Sequence, residues 1–244
     1  MLSGEIMEET KMVYEAPFYI GYSKVGAGLT LTDRALLELL EDVAVMHATE
    51  VGDGMKVSPG RWFLTAWQVK ILARPRHEDR VRVETWCRAM RGASSSREFA
   101  VYGEDGALLV RALSNWARVD KDTHALSRIT PDLAAAYGPE GERTNMGDPW
   151  IPRISAEGET QRERTFRVER SVIDANGHMN NVYYADVAAL SLPEDAAYGE
   201  FRIYYRRPAL LGEELTCRLM THGEGTLVLL LGEDGGQVAQ ILYS

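Results

Sequence analysis

The sequence predicts an α+β protein made of two tandem units, in each of which an antiparallel sheet wraps around a helix. Two observations predict this fold. The order of one strand, one helix and four strands occurs twice along the 244 residues, and a segment rich in proline and glycine separates the two copies. We expect a first unit at residues 1–135, a connector at 136–160 and a second unit at 161–244. The units are expected to pair as a pseudo-dimer within one chain.

The first unit begins with a predicted strand at residues 12–23 and a glycine-containing loop at 25–31. Thr32 can cap a long helix, which is expected to end near Gly52. Its apolar side chains have the 3.6-residue spacing of a buried stripe. The stripe consists of Leu36, Leu39, Leu40, Val43 and Met46.

Four strand-like segments complete the first unit. In residues 80–91, mostly apolar side chains alternate with mostly polar ones, and this period of two is typical of a strand. The sequence Gly103 to Gly106 predicts a hairpin turn. The four segments are residues 62–74, 80–91, 95–102 and 108–119.

The second unit repeats the plan in shorter form after the connector. Its first strand is predicted at residues 165–171 and its helix at 182–192. Leu227 to Leu231 is apolar without alternation, which is typical of a strand covered on both faces. The remaining strands are predicted at residues 200–207, 214–221, 226–232 and 237–243.

Composition excludes several classes of protein. The formal net charge of −9 argues against nucleic acid binding, and no apolar run is long enough for stable membrane insertion. The first residues carry neither the basic nor the apolar region of a secretory signal, so a cytoplasmic location is expected. Cys87 and Cys217 are interpreted as sheet residues of a reducing compartment. The scattered histidines predict no metal site and no cofactor.

The polar segment at residues 174–181 connects a predicted strand to a predicted helix. It places a carboxylate, carboxamides and an imidazole close to a helix N-terminus, as hydrolysis of an activated acyl group requires. The alternative is an ordinary turn in which Asn180 or Asn181 caps the helix.

This segment resembles the D-x-N-x-H-x-N-N-x-x-Y signature of hotdog-fold acyl-acyl carrier protein (acyl-ACP) thioesterases. The matching residues are Asp174, Asn176, His178, Asn180, Asn181 and Tyr184. Further resemblance lies at Trp67, Arg74-Pro75, Val81 to Trp86, Ser114 to Trp116 and Asp120 to Arg128. The resemblance implies two hotdog units, hydrolysis of fatty acyl-ACP that releases free fatty acid and ends chain elongation, and acyl carrier protein as the partner.

The resemblance also implies that the first unit shapes the acyl-chain cavity while the second carries the chemistry. Residues 24–31, which correspond to the polar segment, offer no carboxylate, amide or imidazole, so we expect one site per chain. The leucine-rich helix, with Met46, Trp62 and Trp67, is a candidate wall of the cavity or part of the ordinary core.

The expected catalytic residues are Asp174, Asn176 and His178. Asp174 or His178 would orient or deprotonate water, and Asn176 would fix the geometry. Backbone N–H groups around Asn181 and Val182 would hold the thioester carbonyl oxygen.

One position departs from the family pattern. Members commonly carry a catalytic Glu where this chain has Pro208, and in that respect the chain is similar to simpler acyl-CoA thioesterases. Asp186, one turn into the second helix, is expected either to substitute for that Glu or to be a solvated helix residue.

Charge suggests how a partner would dock. Residues 61–97 hold nine Lys and Arg against three acidic residues, and Arg202, Arg206 and Arg207 form a second cluster near the expected site. A basic face would steer acidic acyl carrier protein. The alternative is a set of solvated strand residues. Assembly into a homodimer is a further alternative.

Three functions are compatible with these sequence features. The first is an acyl-ACP thioesterase. The second is another hotdog enzyme, either an acyl-CoA thioesterase or an enoyl thioester hydratase. The separation of four residues from Asp174 to His178 favours hydrolysis, because the hydratase motif has one more residue. The third is a non-catalytic acyl-binding module.

Overall fold

The computed structural model describes residues 13–194 and 196–244 and has the α+β architecture predicted from the sequence. Within these residues ten strands form one continuous sheet, and three α-helices pack against it. The strands are β1 (Val13–Tyr19), β2 (Gly60–Ile71), β3 (Arg80–Arg91), β4 (Ser94–Gly103), β5 (Leu108–Asp120), β6 (Glu159–Arg167), β7 (Glu200–Tyr205), β8 (Glu214–His222), β9 (Gly225–Leu231) and β10 (Gln237–Tyr243). The helices are α1 (Asp33–Glu50), α2 (Pro131–Tyr137) and α3 (Tyr183–Ala189).

The strand order shows an internal duplication. The sheet runs β1-β3-β4-β5-β2-β7-β10-β9-β8-β6, so each half has its first strand at the edge and its second strand at the centre. The halves meet where β2 residues Ala66 to Lys70 pair antiparallel with β7 residues Glu200 to Tyr204. Two hotdog units therefore share one sheet, as the predicted pseudo-dimer requires.

Helix α1 fills the concave face of the first unit. The Thr32 side chain accepts a hydrogen bond from the Ala35 N–H (3.2 Å), which caps the helix as predicted. Four of the five predicted stripe residues are buried, namely Leu36, Leu39, Leu40 and Val43. Met46 is 40% exposed, so its assignment to the core was wrong.

The first strand of the second unit lies earlier in the chain than predicted. The sequence predicted residues 165–171, whereas β6 ends at Arg167 and residues 170–172 form a 3-10 turn. β6 is an edge strand that pairs with β8 alone, and nearly all of its side chains are exposed. Because it buries no face, it lacks the apolar alternation that marks a strand in a sequence. The first residue of the predicted strand at 12–23, Met12, lies outside the described residues.

A short helix that the sequence analysis missed, α2, precedes the connector and overlaps its first two residues. Thr130 caps α2, Pro131 occupies its first turn, and Gly138 ends it in the left-handed conformation (φ 50°). Residues 138–158 then cross the outer face of the sheet from β3 to β9. The hydrogen bonds of this strap are Glu140 N–H to Cys87 O (2.9 Å), Asn145 N–H to Glu98 Oε2 (2.5 Å), Ile151 N–H to Asn115 Oδ1 (2.9 Å) and Tyr204 O–H to Ile151 O (2.8 Å).

The strap, residues 138–158, covers part of the outer face of the sheet, so side chains on that face can be buried. Trp86 lies on the polar side of the β3 alternation, yet it is fully buried and donates its indole N–H to the Arg143 carbonyl (3.1 Å). Ile154 packs with Leu227 and Leu229 in a small second core. The predicted burial of β9 on both faces is confirmed, because this core covers its outer side.

Cys87 and Cys217 are buried free cysteines, as predicted. In the part of the chain that the structure describes, no helix has the length and apolar character needed to cross a membrane.

Candidate active site

The polar segment at residues 174–181 forms a tight loop before α3. The Asp174 N–H donates to the His178 carbonyl (2.9 Å), and the Gly177 N–H donates to the Asp174 carbonyl (3.1 Å). Gly177 has φ +81°, a left-handed conformation that favours glycine. The backbone therefore brings Asp174 and His178 to opposite sides of one turn.

The carboxylate of Asp174 organises this loop. Oδ1 accepts from the backbone N–H groups of Asn176 (2.8 Å) and His178 (3.4 Å), and Oδ2 accepts from the Asn176 side-chain amide (3.2 Å). The side chains of all three residues line the same cavity. Within the described residues, the His178 ring makes no hydrogen bond to protein, so it is free to contact a ligand or water.

Of the backbone N–H groups expected to hold the thioester carbonyl oxygen, that of Val182 is already bonded at the start of α3. The Val182 N–H donates to Asn180 Oδ1 (3.1 Å), so it is not available for a substrate oxygen. The N–H of Asn181 has no protein acceptor in the described part of the chain, and Asn181 lines the cavity. The Asn181 carbonyl accepts from the Tyr205 hydroxyl (3.0 Å), which fixes the following peptide, the one that carries the Val182 N–H.

The cavity has a volume of about 360 Å³ and is lined by both units. Trp62 lines it, as predicted, but Trp67 is fully buried against Phe99 in the core and Met46 is not part of the wall. The wall formed by α1 consists of small residues rather than the leucines, which face the core. From the first unit the main lining residues are Ala44, Val45, Ala48, Trp62, Leu64 and Trp116.

Pro208, which the sequence analysis placed at the position of the family Glu, lines the cavity. The next residue, Ala209, has a structural role. Its carbonyl accepts from the Met179 N–H (2.9 Å), and its N–H donates to the Tyr184 hydroxyl (3.0 Å). Asp186 does not line the cavity and instead pairs with Arg34 Nε (2.7 Å) on α1. This geometry argues against the supporting catalytic role expected for Asp186.

Glu41 on α1 is a carboxyl group near the loop that the sequence analysis missed. Its Oε1 is buried without a hydrogen-bond partner in the described part of the chain. Burial, reinforced by the negative charges of Asp42 and Asp174, raises the pKa of Glu41 to about 8. A signal was present, because Glu41 lies four residues after Leu37 and three before Ala44, both buried, on the helix face that packs inward.

The raised pKa of Glu41 predicts a pH-dependent stability. Between pH 4.5 and 8 the folded chain holds a proton on Glu41 that the unfolded chain releases, so the free energy of unfolding falls as pH rises, by at most about 1.4 kcal/mol per pH unit. Glu41→Gln should remove this decline, and denaturant unfolding at pH 5 and pH 8 measures it. Glu50→Gln, at an exposed position of the same helix, should keep the wild-type slope. Parallel slopes for wild type and Glu41→Gln would contradict the assignment.

The three arginines expected to dock a partner differ in their surroundings. Arg202 is 8% exposed and pairs with Glu224, which argues against the docking role expected for it. Arg207 pairs with Glu213 (2.6 Å). Arg206 is exposed and lines the cavity, and among the described residues it contacts only neutral groups, namely Gln240 Oε1 (2.9 Å) and the Tyr204 ring (5.4 Å).

Part of the basic excess of residues 61–97 is neutralised within the fold. Several of its cations contact carboxylates of other segments, and these pairs neutralise them. They are Lys70 with Glu200 (3.1 Å), Arg74 with Asp33 (2.8 Å), Arg82 with Glu15 (3.1 Å) and Arg88 with Glu98 (3.3 Å). Arg61, in contrast, lines the cavity and has no carboxylate partner among the described residues.

Comparison with known proteins identifies relatives of both halves. The family model for the acyl-ACP thioesterase N-terminal domain matches residues 11–137, and that for the C-terminal domain matches residues 155–240. An oleoyl-acyl carrier protein thioesterase of Coriandrum sativum is 26% identical over 211 residues, which cover 79% of this chain. The alignment covers 57% of that relative, so the chain spans little more than half its length.

Solved structures show the same fold. An acyl-ACP thioesterase from Bacteroides thetaiotaomicron superposes with a TM-score of 0.84 at 20% identity, covering 96% of this chain and 98% of that one. The 12:0-ACP thioesterase from Umbellularia californica superposes with a TM-score of 0.79 at 19% identity, covering 96% of each chain. The predicted arrangement of two hotdog units is confirmed by this likeness.

Proposed function

Because the chain belongs to the acyl-ACP thioesterase family, we propose that it hydrolyses the thioester of fatty acyl-acyl carrier protein, releasing free fatty acid and ending chain elongation. The observation that carries the proposal is the placement of Asp174, Asn176 and His178 on the wall of one largely apolar cavity between the two units. Such a cavity holds an acyl chain while the polar loop faces its thioester.

In the proposed reaction, the thioester carbonyl oxygen accepts a hydrogen bond from the Asn181 N–H, next to the peptide whose carbonyl Tyr205 holds. Asp174 takes the proton of the attacking water, and Asn176 orients that water through its amide. His178, whose ring is free of protein hydrogen bonds within the described residues, gives a proton to the departing thiolate. The products are a free carboxylic acid and a thiol.

We propose acyl carrier protein as the partner and place its docking contacts at Arg61 and Arg206. Both arginines line the cavity, and neither forms an ion pair within the described residues. An acidic carrier would find these cations unneutralised next to the opening through which its acyl chain must enter.

The test compares one panel of saturated acyl chains, each carried on acyl carrier protein and on coenzyme A, at low and moderate salt. We expect a higher kcat/KM for the carrier-protein thioesters at low salt and a smaller advantage at moderate salt. Arg206→Ala should reduce that advantage, whereas Arg153→Ala, at an exposed position of the strap, should preserve it.

Two other results would overturn the proposal. Equal or faster turnover of the coenzyme A thioesters would identify an acyl-CoA thioesterase, in keeping with Pro208. No turnover of either form would indicate a non-catalytic acyl-binding module.

The cytoplasmic location and the homodimer stay predictions, as does the division of the chain at residues 135 and 160. Cell fractionation and light scattering would test the first two.

A further inference from the structure

Arg97 on β4 is a buried cation in the cavity wall. It is 7% exposed and lines the same cavity as the 174–181 loop. Its Nη1 donates to His47 Nδ1 (2.8 Å) and to Thr85 Oγ1 (3.1 Å), and its guanidinium lies 5.5 Å from the centre of the Tyr137 ring. Burial and the charge of Arg97 lower the pKa of His47 to about 3, so the imidazole is a neutral acceptor.

The other buried arginines have carboxylate partners. Arg118 pairs with Asp53 (3.2 Å), and Arg202 pairs with Glu224. Arg97 forms no ion pair within the described residues, where the only hydrogen bonds of its guanidinium come from Nη1 and go to neutral groups. A buried cation without a counter-ion is costly, so an acceptor that enters the cavity would stabilise it.

The spacing along α1 relates this cation to the catalytic loop. Glu41 lies near the loop, since it lines a small cavity together with Asn180 and Val182, and His47 contacts Arg97. Six residues of α-helix separate the two, or about 9 Å along the axis. Between them Ala44 lines the cavity. A linear chain held at its thioester by the loop would pass an apolar wall before it reaches the guanidinium.

We propose that Arg97 binds an oxygen on the distal part of the acyl chain, so that the preferred substrates are ω-oxygenated acyl thioesters, with a terminal carboxylate as the best group. This proposal rests on the proposed hydrolase function. A guanidinium has donors only, so it requires an acceptor. Nε and Nη2 can together bind both oxygens of a carboxylate, and burial strengthens such a contact. A methyl terminus would leave the cation unpaired.

The first experiment uses the wild-type protein and matched thioesters of six to twelve carbons on one carrier. Each length is offered with a methyl end and with a terminal carboxylate. At the best length we expect the ω-carboxyl thioester to have a kcat/KM about 10-fold higher or more, as one charge-assisted contact provides. An equal or higher kcat/KM for the methyl-ended thioester at every length would overturn the proposal.

The second experiment needs no turnover and therefore separates this proposal from the hydrolase assignment. Octanedioic and octanoic acids are titrated into the wild-type protein by calorimetry near neutral pH. The diacid should bind with a Kd about 10-fold lower or more, even if no thioester is hydrolysed. Equal affinities, or tighter binding of octanoic acid, would overturn the proposal.

Variants then assign the effect to Arg97. Arg97→Met should abolish the preference for the diacid, and Arg97→Lys should keep part of it, because an ammonium lacks the two-point geometry. Circular dichroism shows which variants fold. If a folded Arg97→Met protein kept the full preference, the cations at Arg61 and Arg206 would be the binding site and the proposal would be wrong.

Discussion

Asp174→Asn is expected to lower kcat about 10²- to 10⁴-fold, the usual contribution of a general base. The asparagine oxygen can still accept from the N–H groups of Asn176 and His178, so the loop should keep its turn. What the variant loses is the group that takes the proton of water. Because the acyl chain binds elsewhere in the cavity, we expect a much smaller change in KM. Steady-state kinetics on the best acyl-ACP thioester measures both.

Asp105→Asn supplies a matched control for this variant. Asp105 Oδ1 accepts from the N–H of the second residue after it, Ala107 (2.9 Å), which is the contact that Asp174 makes with Asn176. It lies in the β4–β5 hairpin, away from the cavity wall. The control should keep wild-type kcat. If Asp174→Asn also kept it, the carboxylate would only hold the loop, and His178 would become the candidate base.

The sequence predicted strands best where at least one face of the strand is buried. β3 and β10 were predicted to the residue, because buried side chains recur at every second position or without interruption. β6 failed this test, since an exposed edge strand whose only apolar residue is Phe166 has no such pattern. The strap was also missed, because its hydrogen bonds to distant strands depend on tertiary structure and leave no local periodicity.

Apart from Trp62, the cavity residues that the sequence predicted lie in or near one contiguous loop. One loop supplies Asp174, Asn176 and His178, and its spacing is a motif. Glu41, Arg97 and Tyr137 come from three elements of the first unit and meet the loop only after the units pack. Local patterns report burial but not which distant polar group a buried side chain meets, so these residues carried no recognisable signature.

The buried cluster around Asp53 fixes the cavity wall from the side of the first unit. Asp53 Oδ2 accepts from the Trp62 indole (2.7 Å), the Tyr137 hydroxyl (2.9 Å) and Arg118 Nη1 (3.2 Å). Oδ1 accepts from the Ser58 hydroxyl (2.5 Å). The cluster thus ties β2, β5 and α2 to the loop after α1, and three of its members line the cavity.

Arg118→Ala is expected to lower the free energy of unfolding by about 3–5 kcal/mol, because it leaves the buried charge of Asp53 without a counter-ion. Arg118 is 5% exposed, so water cannot replace it without opening the wall. The backbone is fitted to this side chain, since a Cβ on Gly60 would lie 2.8 Å from the guanidinium carbon. Denaturant unfolding at pH 7 measures the loss. Arg91→Ala, at the exposed end of β3, should cost less than about 0.5 kcal/mol.

The double variant Asp53→Asn, Arg118→Ala locates the origin of that loss. Without the aspartate charge, removal of Arg118 should be cheaper than in the wild-type background, so the two effects should not add. Additive effects would mean that Arg118 stabilises the fold through packing alone. In that case Asp53 would tolerate the loss of its cation, and the fixed wall that holds Tyr137 beside Arg97 would depend on the remaining hydrogen bonds of Asp53.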